Sequence, residues 1–377
     1  MISSIEIKNF KSIKSKLFAL RNLNVLLGLN GQGKSSFTQS LLLLRQSQRH
    51  ITEHINLNDE KLIRIGKAKD ALYQYAKEDM SFEVKFSESK ILNLVFEYKS
   101  DSDIMKVKDS SKSLNIPMDE ALFTKNFQYL NAERVEPKSL HSKSYSSITI
   151  DRNIGKKGEY TVHFLEVNGD ENIAFENCIH PDTIISVNNK NERFKDKRLI
   201  HQVNLWLSEI SPEVQIKTTD LTSDFVQLAF EYKQPTFGET NAFKPENVGF
   251  GISYVLHVVT ALLKAKSGDL LIIENPESHI HPRGQAELGK LIALVAQNDV
   301  QIIIETHSDH IVNGIRVGIK EEKLSKDKAR LFYFKKIVEE QEQYSAITDI
   351  VLDKNGTLSE EPEGLLDEWG NQLLKLF

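Results

Sequence analysis

The stretch that decides the fold is Gly28-Leu29-Asn30-Gly31-Gln32-Gly33-Lys34-Ser35-Ser36. It matches the pattern G-x-x-x-x-G-K-S in full, after an apolar segment typical of a strand (residues 23–27) and before one typical of a helix (residues 37–48). Glycines at these positions let backbone N–H groups turn inward around phosphate oxygens, because no Cβ blocks their approach. The order of strand, loop and helix predicts a phosphate-binding loop (P-loop) and disfavours the alternative, a chance glycine-rich turn.

Two side chains of the P-loop carry their own chemistry. The Lys34 ammonium supplies a mobile cation for the β- and γ-phosphates, and the Ser35 hydroxyl is a magnesium ligand. The helix that begins near Lys34 directs its positive end toward the same anion. We therefore expect ATP with Mg²⁺, bound by Asn30, Gly31, Gln32, Gly33, Lys34, Ser35 and Ser36.

A P-loop needs an acidic partner at the end of another strand, and residues 269–274 supply one. Four apolar residues, 270–273, predict a buried strand that ends at Glu274. Open α/β sheets bind ligands at the carboxyl ends of their strands. We therefore expect Glu274 to hold Mg²⁺ or its waters together with Ser35.

A second apolar strand, residues 300–304, is followed by polar residues that include His307. We expect His307 to contact the γ-phosphate or the attacking water. The nearby histidines could instead form a metal cluster, but no H-E-x-x-H spacing exists and the P-loop already accounts for the neighbouring acids. Magnesium is therefore the one metal expected, and His279 and His281 are interpreted as turn or dimer-contact residues.

Composition excludes several classes of protein. The 377 residues exceed the roughly 250–300 at which one hydrophobic core stops growing. The net charge of −5, from 48 basic and 53 acidic residues, excludes a wholly basic nucleic-acid binder. The one cysteine, Cys178, excludes an intrachain disulfide and a cysteine-rich zinc site. No run reaches the ~18 apolar residues of a membrane span, so we expect a cytoplasmic protein without a membrane partner.

Four ordered segments together resemble the bacterial ABC/SMC-like AAA ATPases, the group that includes OLD-type and anti-phage ATPases. They are residues 5–12 before the P-loop, residues 248–253 (a variant of the ABC signature), residues 274–282 and residues 305–308. Residues 131–134 show a smaller similarity. The resemblance implies an α/β fold: a P-loop NTPase of the ABC/SMC-head type, with a mixed sheet flanked by helices, an antiparallel β lobe and an inserted helical region.

The resemblance also implies a dimer that sandwiches ATP between the P-loop of one copy and the signature of the other. Gly249 and Gly251 would bring backbone N–H groups to the phosphate, and Ser253 lies in the first turn of an apolar helix (residues 254–265). The helix would direct its dipole at the γ-phosphate. A simpler and compatible interpretation makes Ser253 the N-cap of this helix.

One departure from the family pattern bears on catalysis. The residue after the magnesium acid is commonly a glutamate that activates water, and here it is Asn275. Asparagine orients water but does not accept its proton at neutral pH. Either Glu277 takes this role or the proton goes to the phosphate, since phosphoryl transfer depends mainly on positioning and charge. We therefore predict slow hydrolysis, with Glu274, Asn275, Glu277 and His307 as the catalytic residues.

The motifs divide the chain into four expected segments: 1–50 (head with P-loop), 51–245 (β lobe and helical insertion), 246–350 (head with signature, acidic strand and histidine switch) and 351–377 (tail). Within the second segment, alternation predicts strands at 80–88, 91–98 and 225–232, and apolar stripes predict helices at 119–132 and 198–210. Residues 101–113 are interpreted as a polar connection. Trp206 is interpreted as a core residue.

Four functions follow from these features. The first is a dimeric (or higher-oligomeric) ATPase that acts as a switch or sensor for a nearby-encoded effector, a nuclease or toxin; the resemblance implies a role for it in phage defence. The second is a DNA-binding ATPase of repair or recombination, for which basic clusters at residues 190–198 and 320–330 are candidate DNA contacts, although acids interrupt both. An OLD-type nuclease and a transporter ATPase subunit are the less favoured alternatives.

Overall fold

The computed structural model describes residues 1–111, 116–183, 185–187, 193–234, 238–365 and 372–376. Two compact units are present: the first comprises residues 1–124, 327–353 and 358–377, and the second comprises residues 125–326 and 354–357. The segment boundaries expected from the motifs, at residues 50, 245 and 350, differ from the limits of these two units. The four expected segments therefore stay a prediction.

The strands of the described residues are, in chain order, β1 (Ser4–Phe10), β2 (Ile13–Ala19), β3 (Leu23–Leu27), β4 (His54–Asn56), β5 (Ser81–Ser87), β6 (Lys90–Val95), β7 (Ile104–Lys106), β8 (Phe127–Leu130), β9 (Leu140–Ser142), β10 (Ile185–Val187), β11 (Arg193–Lys195), β12 (Val214–Asp220), β13 (Phe225–Gln234), β14 (Gly238–Glu239), β15 (Leu270–Glu274), β16 (Gln301–Glu305), β17 (Ala329–Val338) and β18 (Gln343–Ile350). The α-helices are α1 (Lys34–Gln46), α2 (Ala68–Ala71), α3 (Thr161–Asn168), α4 (Leu199–Ser208), α5 (Phe250–Leu263), α6 (Pro282–Ala296) and α7 (Asp309–Lys320).

The first unit contains an antiparallel sheet in the order β2-β1-β5-β6 and a second group of strands in which β17 pairs with β3 in parallel and with β18 antiparallel. All five residues of β3 are buried, as expected for a strand covered on both faces. Phe18 packs against Phe37 of α1 and Phe332 of β17, with ring centroids 4.5 and 5.3 Å apart. This aromatic cluster fixes the strand and the helix that border the P-loop.

The second unit contains a parallel group, β8-β15-β16, and an antiparallel group in which β13 pairs with β9, β12 and β14. Helices α6 and α7 cross closely, because a Cβ on Gly314 would lie 2.1 Å from the Ala286 carbonyl oxygen and one on Gly289 would lie 2.4 Å from that of Ile311. β15 and β16 end in register at Glu274 and Glu305. Their polar continuations therefore begin side by side.

Most of the predicted elements are confirmed. The strands at 80–88, 91–98 and 225–232 correspond to β5, β6 and β13, and the helix at 198–210 corresponds to α4. Trp206 is 6% exposed, and its indole N–H donates to the Cys178 carbonyl oxygen (3.0 Å). Cys178 is itself buried, which raises the pKa of its thiol to about 12. Among the described residues, none of the helices has both the length and the apolar character that a membrane span requires.

Two local predictions are wrong, and the start of one predicted helix is shifted. Residues 119–132 do not form a helix, because Phe127–Leu130 is the strand β8, buried at all four positions and paired in parallel with β15. A strand buried on both faces has no alternation, so its apolar residues were compatible with a helical stripe. Residues 101–113 are more than a connection, since they contain β7, which pairs with β4. The helix expected at 254–265 begins earlier, at Phe250.

Candidate functional site

The P-loop lies in the first unit, between β3 and α1. Gly28, Gly31 and Gly33 have φ angles of 131°, 74° and 98°, in the left-handed region that favours glycine. Gly33 is the N-cap of α1, and Lys34 is the first residue of the helix. The first turn of α1 contains no acidic residue, so no carboxylate of that turn neutralises the positive helix end.

The Lys34 side chain lies inside the loop and is 3% exposed. Its Nζ donates to the carbonyl oxygens of Gly28 (2.8 Å) and Leu29 (3.0 Å). The predicted phosphate ligands differ in access: Asn30, Gly31 and Ser35 are exposed, Gln32 and Gly33 are half-buried, and Lys34 and Ser36 are buried. Backbone N–H groups at a helix N-terminus, together with one ammonium, are a donor set suited to the phosphates of a nucleotide.

Polar groups elsewhere in the same unit contact the P-loop: two lie on the strands β17 and β18, and one lies in the turn between β1 and β2. Ser345 Oγ donates to the Gln32 carbonyl oxygen (2.7 Å) and lies 2.8 Å from Ser12 Oγ. The Lys336 backbone N–H donates to Gln32 Oε1. Ser12 Oγ lies 3.4 Å from Ser36 Oγ in the first turn of α1. Ser345 and Lys336 were not predicted from the sequence as site residues.

A cavity of about 200 Å³ opens next to the P-loop in the first unit. Its lining includes Lys11, Ser12, Gly31, Tyr73, Tyr75 and Tyr344. Burial lowers the pKa of Lys11, whose Nζ donates to Gln39 Oε1 (2.7 Å). Aromatic rings and a partly desolvated ammonium beside a phosphate-binding loop are suited to a planar base and its sugar.

Glu274, in the second unit, is held by groups from β8 and the segment after it. The Tyr129 hydroxyl donates to Glu274 Oε1 (2.9 Å), and the Ala132 backbone N–H donates to Oε2 (3.2 Å). Burial raises the pKa of Glu274, while these two hydrogen bonds and the charge of Arg134 act in the opposite direction. The carboxylate thus accepts hydrogen bonds from two neutral donors but still pays a desolvation cost. A nearby dication would offset that cost.

Arg134 anchors the turn that follows β15. Its guanidinium donates to the carbonyl oxygens of Glu274 (2.6 Å) and Asn275 (3.0 Å), and its side chain is 4% exposed. Burial lowers its pKa to about 10, against the opposing charges of Glu277 and Glu274, so it stays protonated at neutral pH. Asn275 has a φ of 44°, in the left-handed region where asparagine is tolerated. Arg134 therefore fixes a strained turn through its carbonyl oxygens.

Three of the predicted catalytic residues meet at the ends of β15 and β16. The Asn275 backbone N–H donates to the Glu305 carbonyl oxygen (2.7 Å), and Glu277 Oε1 accepts a hydrogen bond from the His307 backbone N–H (2.8 Å). Within the described part of the chain, Asn275 Oδ1 and Glu277 Oε2 are buried without a hydrogen-bond partner. Each therefore has acceptor capacity left for a water or a substrate group.

The signature-like segment packs on the same turn. Gly249, and not Ser253, is the N-cap of α5, so the N-cap interpretation of Ser253 is wrong. A Cβ on Gly251 would lie 2.2 Å from the His279 carbonyl oxygen, and the ring of His279 packs edge-on against Tyr254, 4.9 Å away. Gly251 is therefore required for close packing, a role that the sequence analysis did not assign. Ser253 is 4% exposed, and its Oγ has no hydrogen-bond partner among the described residues.

The turn interpretation holds for His279, whereas His281 lies at the start of α6. His279 has a φ of 63°, and His281 is the N-cap of α6, where its Nδ1 accepts a hydrogen bond from the Arg283 backbone N–H (3.3 Å). The two residues therefore shape the segment between β15 and α6.

Comparisons with known protein families match most of the chain. Residues 1–174 match a family model described as "AAA ATPase domain", and residues 182–313 match one described as "AAA domain, putative AbiEii toxin, Type IV TA system". Residues 324–376 match a model described as "Protein of unknown function (DUF3696)".

Two solved structures share the fold. The chain aligns with an SMC head bound to the C-winged helix domain of ScpA at a TM-score of 0.50, with 13% identity, over 92% of this chain and 98% of that one. It aligns with an Smc head domain with an extended coiled coil, bound to the C-terminal domain of ScpA derived from Pyrococcus furiosus, at 0.50 and 11%, over 100% and 99%. At these identities the likeness shows the fold alone, and it confirms the expected ABC/SMC-head architecture.

One curated protein is similar to the chain in sequence. The Old nuclease of Escherichia phage P2 is 23% identical over 354 residues, which are 84% of this chain and 59% of the relative. By these findings the chain is similar to the ABC/SMC-like AAA ATPases of the OLD type, and they support its assignment to that group. It spans 59% of the length of the curated relative that it matches, so the relative's whole activity does not transfer with the resemblance.

The site residues of this ATPase fall into two groups. The P-loop residues lie in the first unit, and Glu274, Asn275, Glu277, His307, Gly249, Gly251 and Ser253 lie in the second. Tyr129 and Arg134 contact the second group but were not predicted. The similarity at residues 131–134 was the available signal for Arg134. Tyr129 was missed because residues 119–132 were predicted to form a helix, whereas Tyr129 lies in the strand β8.

Proposed function

We propose that this ATPase is a homodimeric switch or sensor that binds ATP with Mg²⁺, hydrolyses it slowly and controls a partner effector in phage defence. The observation that carries the proposal is the turn after β15, where Asn275 occupies the position of the family's water-activating glutamate. Its amide orients water without accepting a proton at neutral pH. Turnover well below the typical ~10 s⁻¹ suits a switch more than a motor.

The proposed magnesium ligands are Ser35 and Glu274. Ser35 is exposed at the start of α1, and Glu274 is a partly desolvated carboxylate at the end of β15. Oxygen ligands of this kind are what Mg²⁺ prefers, and the ion usually keeps several waters. When bound, Mg²⁺ supplies Lewis-acid stabilisation of the negative charge on a phosphate.

The residues proposed to act on water are Asn275, Glu277 and His307. Asn275 Oδ1 and Glu277 Oε2 have spare acceptor capacity in the described structure, and the His307 backbone is fixed by Glu277 Oε1. Glu277 thus combines a positioning contact with an oxygen suited to accept a proton. The cavity lined by Tyr73, Tyr75 and Tyr344 is proposed to receive the adenine base and ribose.

The proposed dimer follows the ATP sandwich that the resemblance implies. Gly249 is the N-cap of α5, no acidic residue lies in the first turn of that helix, and Phe250 is 58% exposed beside it. A helix N-terminus with an exposed aromatic residue is suited to meet the phosphates of a nucleotide held by a second copy. Higher oligomers built from this dimer belong to the same proposal.

Light scattering with and without ATP tests the dimer. We expect Glu274→Gln to accumulate as an ATP-bound dimer, because hydrolysis would no longer separate the copies, and Lys34→Ala to stay monomeric. A monomer under every condition, with ATP binding intact, would contradict the sandwich.

The effector and the defence role rest on the relatives. One matched model is described by a toxin and a toxin–antitoxin system, and the curated relative is a phage nuclease. We propose a nuclease or toxin encoded next to this gene as the partner. Phage plaque counts on cells that express both genes test this role. Protection lost in Lys34→Ala supports it, and protection absent with the wild-type pair contradicts it.

The alternative of a DNA-binding repair ATPase gains little from the surface. Of the first basic cluster, Lys197 pairs with Glu176, and Arg198 pairs with Asp196 (2.7 Å) and Asp170 (3.2 Å). The Lys190 side chain and that of Arg193 lie outside the described residues. In the second cluster, Lys323 pairs with Glu321 (2.6 Å). Cations paired with acids favour a solvated face over a phosphate-binding stripe.

A further inference from the structure

The strongest unassigned feature of the first unit is the attachment of the P-loop to the hairpin β17–β18. Lys336 and Ser345 are paired residues of this hairpin. The Ser345 hydroxyl donates to the Gln32 carbonyl oxygen (2.7 Å), and the Lys336 backbone N–H donates to Gln32 Oε1. Gln32 is therefore bound at both its backbone and its side chain. We call Ser345, Lys336 and Ser12 the loop clamp.

Gly33 shows how closely the clamp fits the loop. A Cβ at this position would lie 2.3 Å from both Ser12 Oγ and Ser345 Oγ. Ser345 N–H also donates to the Ser12 carbonyl oxygen (2.8 Å), so the two serines are joined through backbone and side chain. The clamp thus contacts the loop at Gly33, where the backbone takes the left-handed conformation that starts α1.

The hairpin itself is anchored away from the loop. Lys14 of β2 pairs with Glu342 (2.6 Å), and the Tyr73 hydroxyl donates to the other carboxylate oxygen of Glu342 (3.1 Å). Lys16 pairs with Asp349 of β18 (3.1 Å). These contacts fix the hairpin at both ends of β18. The hairpin therefore does not follow the P-loop when the loop moves, and its hydrogen bonds to Gln32 restrict the conformation of the loop.

We propose that the loop clamp positions the P-loop for nucleotide, so that the C-terminal segment matched by the model of unknown function is part of the ATP-binding apparatus. A loop of three left-handed glycines has many conformations, and binding an anion selects one of them. The clamp restricts the conformations of the P-loop before ATP binds. Binding therefore loses less conformational entropy of the loop. Ser345 and Gln32 are positioning residues in this proposal, which rests on the proposed nucleotide site.

The test is an ATP titration of the full chain, followed by steady-state hydrolysis. Ser345→Ala removes one hydrogen bond to the loop, and Gln32→Met removes the side-chain acceptor at a half-buried position. We expect each to weaken ATP binding about three- to ten-fold and to raise KM with little change in kcat, as the loss of one hydrogen bond predicts. Ser345→Thr, which keeps the hydroxyl, is expected to restore binding to within about two-fold.

Ser359→Ala is the matched control, because it also removes a serine hydroxyl that accepts a backbone hydrogen bond (from Val351 N–H, 3.1 Å) in the same unit. We expect it to leave ATP binding unchanged. Wild-type affinity in both Ser345→Ala and Gln32→Met, while Lys34→Ala abolishes binding, would overturn the clamp and leave the nucleotide site standing. Full binding by Lys34→Ala would overturn the nucleotide site and the clamp with it.

Discussion

The P-loop and the carboxyl end of β15 hold their charged groups by opposite means. Lys34 donates to Gly28 and Leu29, six and five residues away in the chain. Glu274 is held by Tyr129 and Ala132, 145 and 142 residues away. The first arrangement is encoded in a short contiguous stretch, whereas the second exists only after β8 pairs with β15. A local motif therefore reveals the phosphate site, and only the fold reveals what tunes the acid.

The largest effect should come from the local site. Lys34→Ala removes the one ammonium inside the P-loop, and we expect single-turnover ATP hydrolysis to fall about 10³-fold, by analogy with the loss of one preorganised donor. Lys108→Ala is the control, since it removes an ammonium from the same unit, paired with Asp79 at 2.5 Å and outside the loop clamp. Equal losses in the two variants would show that net charge, and not the loop position, decides the rate.

The next effect tests the non-local site through stability. Arg134→Met leaves two carbonyl oxygens of the turn after β15 without their buried donor, and we expect the free energy of unfolding to fall by about 3 kcal/mol. Arg316→Met is the control, because Arg316 is half-buried and donates to one backbone carbonyl oxygen, that of Gly356 (2.7 Å), and to the exposed side chain of Asn313 (3.0 Å). Thermal denaturation compares the two. A loss in Arg134→Met no larger than in Arg316→Met would contradict the anchoring role.

A third prediction separates positioning from proton transfer at the same turn. Glu277→Gln keeps an oxygen that accepts the His307 N–H bond (2.8 Å) but no longer accepts a proton. If Glu277 is the base, the single-turnover rate should fall about 10²-fold. Asn275→Asp, whose carboxylate restores an acid at the family position, should raise the rate. An unchanged rate in Glu277→Gln would assign the proton to the phosphate itself.

The contrast between the two sites also explains how much could be predicted from the sequence. β3, the P-loop and α1 follow from a contiguous motif, and β15 and β16 follow from apolar runs that end in acids. Tyr129 was missed because β8 is buried on both faces, so its residues carry no period that separates strand from helix. Ser345 was missed because a lone serine on a strand carries no signal until pairing with β17 brings it to Gln32. In the expected tail (351–377), residues 366–371 and 377 lie outside the described residues.

The smallest effect concerns the titration of Glu274. Burial raises the pKa of this carboxyl group, and the hydrogen bond from the Tyr129 hydroxyl lowers it. Mg²⁺ needs the ionised carboxylate, so Mg²⁺ binding should weaken as the pH falls through this raised pKa. Tyr129→Phe removes a hydrogen bond to the charged form, and the acid limb of the Mg²⁺-binding profile should therefore move to higher pH by up to about one unit.

Stability without Mg²⁺ should show the opposite trend with pH. Between the ordinary pKa of a glutamate and the raised value, the folded chain binds more protons at Glu274 than the unfolded chain does, so the free energy of unfolding falls as the pH rises through this window. Tyr129→Phe should raise the pKa of folded Glu274 further, so that the pH range over which stability falls extends to higher pH. Tyr73→Phe is the control, because it loses the same kind of bond, to Glu342 (3.1 Å). A shift shared by both variants would show that the tyrosine bonded to Glu274 has no special effect on its charge.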